Sequence, residues 1–217
     1  PSSSHTVGPM LAAAKFADYL EQRSLASDVT RIQVDLFGSL SATGIGHGTD
    51  NSVIIGLLGE RPDTVNPDII LQEVASVKES NTLRLLNKFP IEFIWKRDML
   101  LLEENLPYHP NAMRISAFDA QGQTLYSNTY YSIGGGFVID ESEATADAHV
   151  VPQVALPYEF HNGVELLELC KANNLTISQL MMENEKVWRS EQEIRDGLMD
   201  IWAVMKECIA NGLHKEG

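Results

Sequence analysis

Three short stretches of this sequence combine a histidine with polar side chains and a backbone fixed by glycine or proline. They are SSSHTVGP, with His5, GIGHGTDNS, with His47, and YHPNAMR, with His109. A fourth, YYSIGGGFV, sets Gly134, Gly135 and Gly136 in a row, where a missing Cβ lets a ligand approach the backbone closely. Hydroxyls and bare N–H groups at a helix mouth suit a carboxylate or phosphate. Imidazoles exchange protons near neutral pH. The chemistry these residue types offer is therefore capture of a small anionic or zwitterionic molecule and proton transfer on it. Each stretch also has a plainer reading. The serine run serves as a helix cap or a loose terminus, glycine-flanked His47 as a turn residue, His-Pro-Asn as turn chemistry, and the glycine triplet as a tight connection or bulge. Convergence in space is what separates the two readings.

Other chemistries lack support. There is no CxxC, HExxH or P-loop, and GIGHG lacks the third glycine of a dinucleotide-binding loop. No GxSxG is present, so a nucleophile-elbow hydrolase has no basis. The two cysteines, Cys170 and Cys208, are too few to hold an iron–sulfur cluster by themselves. They also make a disulfide scaffold improbable and fit a reducing cytosol. With 16 Lys and Arg against 30 Asp and Glu, the net charge of −14 repels phosphate backbones and anionic lipid, which argues against nucleic-acid and membrane-surface partners. No apolar run approaches the about 18 residues of a membrane span. His149, His161 and His214 read as surface or capping residues, and Trp95, Trp188 and Trp202 as packing residues.

The elements that must position the histidines can be read from periodicity. Pro9 fits the first turn of a helix, and Met10, Ala13, Ala14, Ala17 and Leu20 recur at helical spacing. That places Ser3, Ser4, His5 and Thr6 at the positive mouth of the helix. In TRIQVDLFGSL, Ile32, Val34 and Leu36 alternate with polar residues as in a strand. The glycine-rich stretch around His47 leads into an apolar helix, and NPDIILQEVASVKES reads as another, with Pro67 near its start and Ile70, Val74 and Val77 on one face. IEFIW, MRISAFDA and QTLYSNTYYSI read as strands, with Gln121-Gly122 as a hairpin turn and GGGFV closing the set. AHVVPQVALPYEF, with Pro152 and Pro157, reads as a linker. Asn162, Thr176 and Ser190, each followed three residues later by Glu or Gln, mark helix starts. The last helix carries Ile194, Leu198, Ile201, Met205 and Cys208 on one stripe and ends near Gly212. The expected fold is α+β over residues 1–151, a linker at 152–157 and a short all-helical segment over 158–217. Those helices are too few to close a core alone, so they pack on the first domain or on something beyond this sequence.

In order along the chain, PSSSHTVGPM, FGSLSATGIGHGTD, YHPNAMRI and YYSIGGGFV resemble the N-terminal β-domain of the iron–sulfur L-serine dehydratases. LPYEFHNGVELLELCKANNLTISQLMMENE resembles the opening helices of the catalytic α-domain in the single-chain form, so the likeness covers essentially the whole chain. The resemblance implies a cytoplasmic, dimeric lyase of amino-acid catabolism and gluconeogenesis that converts L-serine to pyruvate and ammonia. It implies a [4Fe-4S] cluster held by α-domain cysteines downstream of this chain, with none bound here, and so an inactive fragment that needs the remainder of the α-domain. It further implies a β-domain akin to the allosteric substrate-binding domain of some phosphoglycerate dehydrogenases. On that reading His47, His5 and His109, ranked in this order, transfer protons or orient the ligand. Ser3, Ser4, Thr6 and the Gly134, Gly135 and Gly136 amides surround the serine carboxylate or hydroxyl. Asp50 and Asn51 fix the tautomer of His47. The alternatives are a non-catalytic module that binds serine or a small anion and regulates an attached catalytic unit, or a purely structural dimerisation domain.

Overall fold

Alanines at 12, 13, 14 and 17 give the first helix, α1 (Val7–Gln22), a buried flank with almost no side-chain bulk. In the computed structural model, which describes residues 3–145 and 154–214, the next long helix of the core approaches this flank at backbone distance. A Cβ at Gly56, near the end of α3 (Thr49–Leu57), would lie 2.3 Å from the Met10 carbonyl oxygen and 2.8 Å from Ala13 Cβ. The chain divides into two compact units, Pro1–His149 and Val150–Gly217.

The first unit is built on a mixed seven-stranded sheet among the described residues, in the order β2-β3-β1-β5-β6-β7 with β4 also on β1. Its central strand, β1 (Arg31–Phe37), pairs antiparallel along its whole length with β5 (Asn111–Phe118). The other edge of β1 is shared by two short parallel partners. β3 (Phe89–Glu92) meets it at Arg31, and β4 (Met99–Leu102) runs beside Val34 to Phe37. Between them the chain detours through one helical turn, α5 (Trp95–Asp98). Asp98, wholly buried, anchors the detour by accepting from the Ile94 N–H at 2.8 Å and from the Arg97 guanidinium. This is where the sequence expectation needs correcting. IEFIW is a strand only as far as Glu92, and MLLL, which carries no alternation, is a strand through its parallel pairing with β1, with Met99 alone buried. β2 (Thr82–Leu85) covers β3, while β6 (Thr124–Gly134) and β7 (Phe137–Asp140) extend the other side.

Alternation sorts β1 as its pattern demands. Ile32, Val34 and Leu36 are fully buried in one core with Phe16, Leu20, Val53, Ile54 and Leu57 of the helices. Gln33 bridges Arg31 and Asp35 on the opposite face. Helix α4 (Pro67–Ser80) starts where expected, with the Asn66 side chain accepting from the Asp68 N–H, and turns Val74 and Val77 inward. The glycine triplet forms a tight hairpin from β6 to β7. Gly134 pairs with Phe137, and Gly135 and Gly136 take φ of +62° and +80°, which a two-residue hairpin turn of this twist requires. After β7 comes one short helix, α6 (Glu141–Thr145).

The second unit contains α7 (Gly163–Asn173), α8 (Ile177–Glu185) and α9 (Glu191–His214). Its three start signals are all formed: Asn162 caps Val164 and Glu165, Thr176 and Gln179 make a reciprocal capping box, and Ser190 exchanges bonds with Glu193. Leu180 and Ile194 are buried, but Leu198, Ile201 and Met205 of the α9 stripe stand more than half exposed. Trp188 and Trp202, expected to pack, are 53% and 46% exposed, since three helices offer no second layer to cover them. His161 and His214 are exposed, as expected of surface residues, whereas His149 and Pro152 lie outside the described residues. Among the described residues no helix is long and apolar enough to cross a membrane.

The close contacts of α1 generate two predictions. Gly56→Ala forces α1 and α3 apart and should lower stability by about 1–3 kcal/mol, read as an earlier urea transition in far-UV circular dichroism. At the start of α1, a Cβ on Gly8 would fall 2.0 Å from Ser132 Oγ and 2.7 Å from Ser132 Cβ. Gly8→Ala should therefore destabilise by a similar amount, and Ser132→Gly in the same chain should restore most of the loss. An absence of recovery in the double variant would mean that the collision is not the cause.

Candidate functional site

The site is assembled where β1 ends. Gly38 takes φ of +51° there, and a Cβ on it would fall 2.3 Å from Asn105 Oδ1 and 2.5 Å from the Pro110 carbonyl oxygen. Only glycine admits this close approach, which lays the His109–Pro110–Asn111 loop against the strand exit. Ser39 follows as part of a short helix, α2 (Gly38–Thr43), and donates its N–H to the Pro110 carbonyl at 2.9 Å. The chain then makes a single 3-10 turn, Ile45–His47, and Gly48, with φ of +68°, caps α3.

Two of the three histidines meet here. The rings of His5 and His47 lie 5.1 Å apart between centroids, tilted by 58°. Their backbones are cross-tied: Thr6 donates its hydroxyl to the His47 carbonyl at 3.2 Å, and Thr49 donates to the His5 carbonyl at 2.6 Å. Each threonine thus holds the other motif's histidine. Thr49 is wholly buried, so this hydroxyl is out of reach of any ligand. The His5 ring is held at both nitrogens, Nδ1 3.0 Å from Ser4 Oγ and Nε2 3.0 Å from Ser39 Oγ and 3.3 Å from the Ser39 carbonyl oxygen. The His47 ring, by contrast, makes no hydrogen bond among the described residues.

His109 occupies a neighbouring position. Its Nδ1 accepts from the Asn111 N–H at 3.1 Å, a turn-stabilising contact, and the Asn111 amide donates to the Ser132 carbonyl at 3.3 Å. It reaches the other histidines only through Pro110 and Ser39. The Ser132 hydroxyl is buried against Gly8 and has no hydrogen-bond partner. The glycine triplet follows two residues after Ser132, and its positive φ values answer the needs of the hairpin.

Hydrogen-bond accounting separates the predicted ligand-binding hydroxyls. Thr6 has its proton committed to His47, and Ser4 faces the His5 ring. Ser3 accepts from the Thr6 N–H at 3.1 Å and keeps its own proton for another acceptor. The Val7 N–H, in the first turn of α1, has no partner among the described residues. Asp50 and Asn51 require a correction, because neither side chain bonds His47. The Asp50 carboxylate, 5% exposed, accepts from Lys78 Nζ at 2.9 Å and from the Trp95 indole N–H at 3.1 Å. Asn51 also accepts from Lys78, which lies 5.0 Å from the centroid of the Trp95 ring. About 100° of rotation per helical residue turns positions 50 and 51 away from the 3-10 turn and toward α4.

The cysteines do not fit an iron–sulfur cluster. Such a cluster is held by thiolates, usually four, whereas Cys170 is buried on α7 and Cys208 exposed on α9, both free thiols. Among the described residues no group of three or more His, Cys, Asp or Glu is placed to hold a metal ion. Two residues at the site escaped the sequence reading, Ser39 and Thr49. The signal for Ser39 was a glycine at the end of an alternating strand run, and for Thr49 its spacing behind His47, which mirrors Thr6 behind His5 only once the two motifs are seen together.

The chain is 47% identical to an L-serine dehydratase of Streptomyces coelicolor, over 100% of this chain and 48% of that protein. It is 44% identical to L-serine dehydratase 2 of Escherichia coli, over 100% and 47%. An L-serine dehydratase of Helicobacter pylori is 33% identical, again over 100% of this chain and 47% of the relative. The chain therefore spans about half the length of the curated relatives it matches. A family model described as serine dehydratase beta chain matches residues 1–143, the unit that carries all three histidines, and the chain belongs to that family.

Proposed function

We propose that this chain supplies the substrate-binding and proton-handling residues of an L-serine dehydratase, which deaminates L-serine to pyruvate and ammonia. The observation that carries the reading is the convergence of SSSHT and GHGT at the mouth of α1, with His5 and His47 side by side. Loss of water from serine requires removal of a weakly acidic α-proton and departure of the β-hydroxyl, after which the aminoacrylate tautomerises and hydrolyses. The Val7 N–H and the Ser3 hydroxyl hold the carboxylate at the positive end of α1, where a helix favours an anion. His47, whose ring nitrogens have no protein partner among the described residues, takes the α-proton, and His5 orients it. His109 holds the loop that completes this end of the sheet.

A [4Fe-4S] cluster is part of this proposal only as a group held elsewhere, since the cysteines here do not fit it. The remaining half of the relatives' length is then the expected partner, in a cytoplasmic homodimer, with the first unit related to the allosteric substrate-binding domain of phosphoglycerate dehydrogenases. A purely regulatory role for that unit is separated from the catalytic one by a single substitution. His47→Ala in the complete dehydratase should lower kcat by about two or more orders of magnitude, the scale of losing an acid–base group. A kcat within about threefold of wild type, with only KM or activation altered, would instead make the unit a serine sensor. The 217-residue chain purified alone should form no pyruvate from L-serine, and pyruvate above background would overturn the division of labour proposed here.

A further inference from the structure

We infer that Ser39 is a positioning residue, which fixes the His5 imidazole in one orientation and one tautomer. The inference deepens the dehydratase reading and rests on it for its kinetic arm. His5 Nε2 faces two oxygens of Ser39, the hydroxyl at 3.0 Å and the backbone carbonyl at 3.3 Å. A carbonyl oxygen accepts and never donates, so in the neutral ring the proton sits on Nε2. Nδ1 is then the basic nitrogen, and Ser4, 3.0 Å away, donates its hydroxyl proton to it. On protonation the ring keeps every partner: Nδ1–H donates to Ser4 Oγ by a rotation of that hydroxyl, and Nε2–H stays on Ser39. His5 can therefore change charge beside His47 without turning.

Ser39 itself is placed rigidly. Its N–H is bound to the Pro110 carbonyl at 2.9 Å, and the preceding Gly38 is pinned between Asn105 and Pro110. It is half-buried and contacts His5 through both its backbone and its side chain, so it acts through His5 rather than on the reacting atoms. The same geometry removes Ser4 from the groups free to donate to a substrate carboxylate.

The test is nitrogen NMR of the chain labelled with 15N-histidine, with His5 assigned by His5→Gln, in wild type, Ser39→Ala and Ser39→Thr. Wild-type His5 should give the pattern of a single Nε2–H tautomer. Ser39→Ala keeps the carbonyl and with it the Nε2–H tautomer, but it removes the shorter Nε2 contact and should shift the His5 Nε2 signal and loosen the ring, and Ser39→Thr should return the wild-type pattern. In the complete dehydratase Ser39→Ala should lower kcat about three- to tenfold with KM within about twofold, the scale of one hydrogen bond between neutral groups, and Ser39→Thr should recover most of it. Unchanged His5 signals in Ser39→Ala overturn the inference, as does a folded Ser39→Thr that fails to restore them. Altered signals with undiminished kcat confine Ser39 to holding the ring and overturn its part in the reaction. If the wild-type complete protein does not turn over L-serine, the dehydratase reading fails while the NMR result still decides the Ser39–His5 contact.

Discussion

The backbone of α3 rests almost directly on that of α1, because Gly56 and the alanines of α1 leave no side chains between them. The pairing of the two histidine motifs depends on this contact. It sets the two helices close enough that their N-terminal ends share one side of the sheet, which is where the cross-ties of Thr6 and Thr49 form. A bulkier residue at Gly56 would push α3 off α1 and strain the Thr49–His5 tie, whose hydroxyl is wholly buried. A buried hydroxyl without a partner costs about 1–3 kcal/mol, so the clasp and the packing reinforce each other. The same economy recurs at Gly8 and Gly38, where backbone meets a side chain or a carbonyl at a distance no Cβ allows.

The electrostatics of the site run against those of the whole chain. A net charge of −14 makes the surroundings unfavourable to an anion, yet among the described residues no carboxylate hydrogen-bonds the His5–His47 pair. Asp50, the acidic residue nearest in sequence to His47, is turned away and neutralised by Lys78 and the Trp95 N–H. What remains at the mouth of α1 is hydroxyls, imidazoles and helix N–H groups. The proposed carboxylate position is thereby spared a neighbouring acid, and this depends on where Asp50 points as much as on which residues surround it.

Much of the architecture was legible in the sequence because it follows from local periodicity. The alternation of Ile32, Val34 and Leu36, the helix start at Pro67, the Thr176 cap, the Gln121-Gly122 turn and the apolar stripe of α1 each rest on rules that act within a few residues. The resemblance of the histidine-bearing motifs to a dehydratase family was legible too, and the family match bears it out. What periodicity could not supply was contact between distant segments. MLLL has no pattern of its own and becomes β4 only beside β1. Trp188 and Trp202 looked like packing residues by type, but type does not say whether a neighbouring layer exists.

At the site the same division holds at the level of single atoms. Sequence ranked His47 above His5 and His109 for its flanking glycines, but flanking residues do not say what the ring nitrogens touch. The fold separates them by hydrogen bonding: one ring is held at both nitrogens, one at Nδ1 by its own turn, and one is left without a partner among the described residues. The asymmetry arises because His5 sits above Ser39 at the exit of β1, while His47 sits on a 3-10 turn whose backbone, not its ring, is clasped. A ring engaged at both nitrogens exchanges a proton only by rearranging its partners, whereas an unpartnered nitrogen is open to a ligand. Two like residues brought together by one clasp thus differ in which ring nitrogens are open, because the side chains beneath them differ.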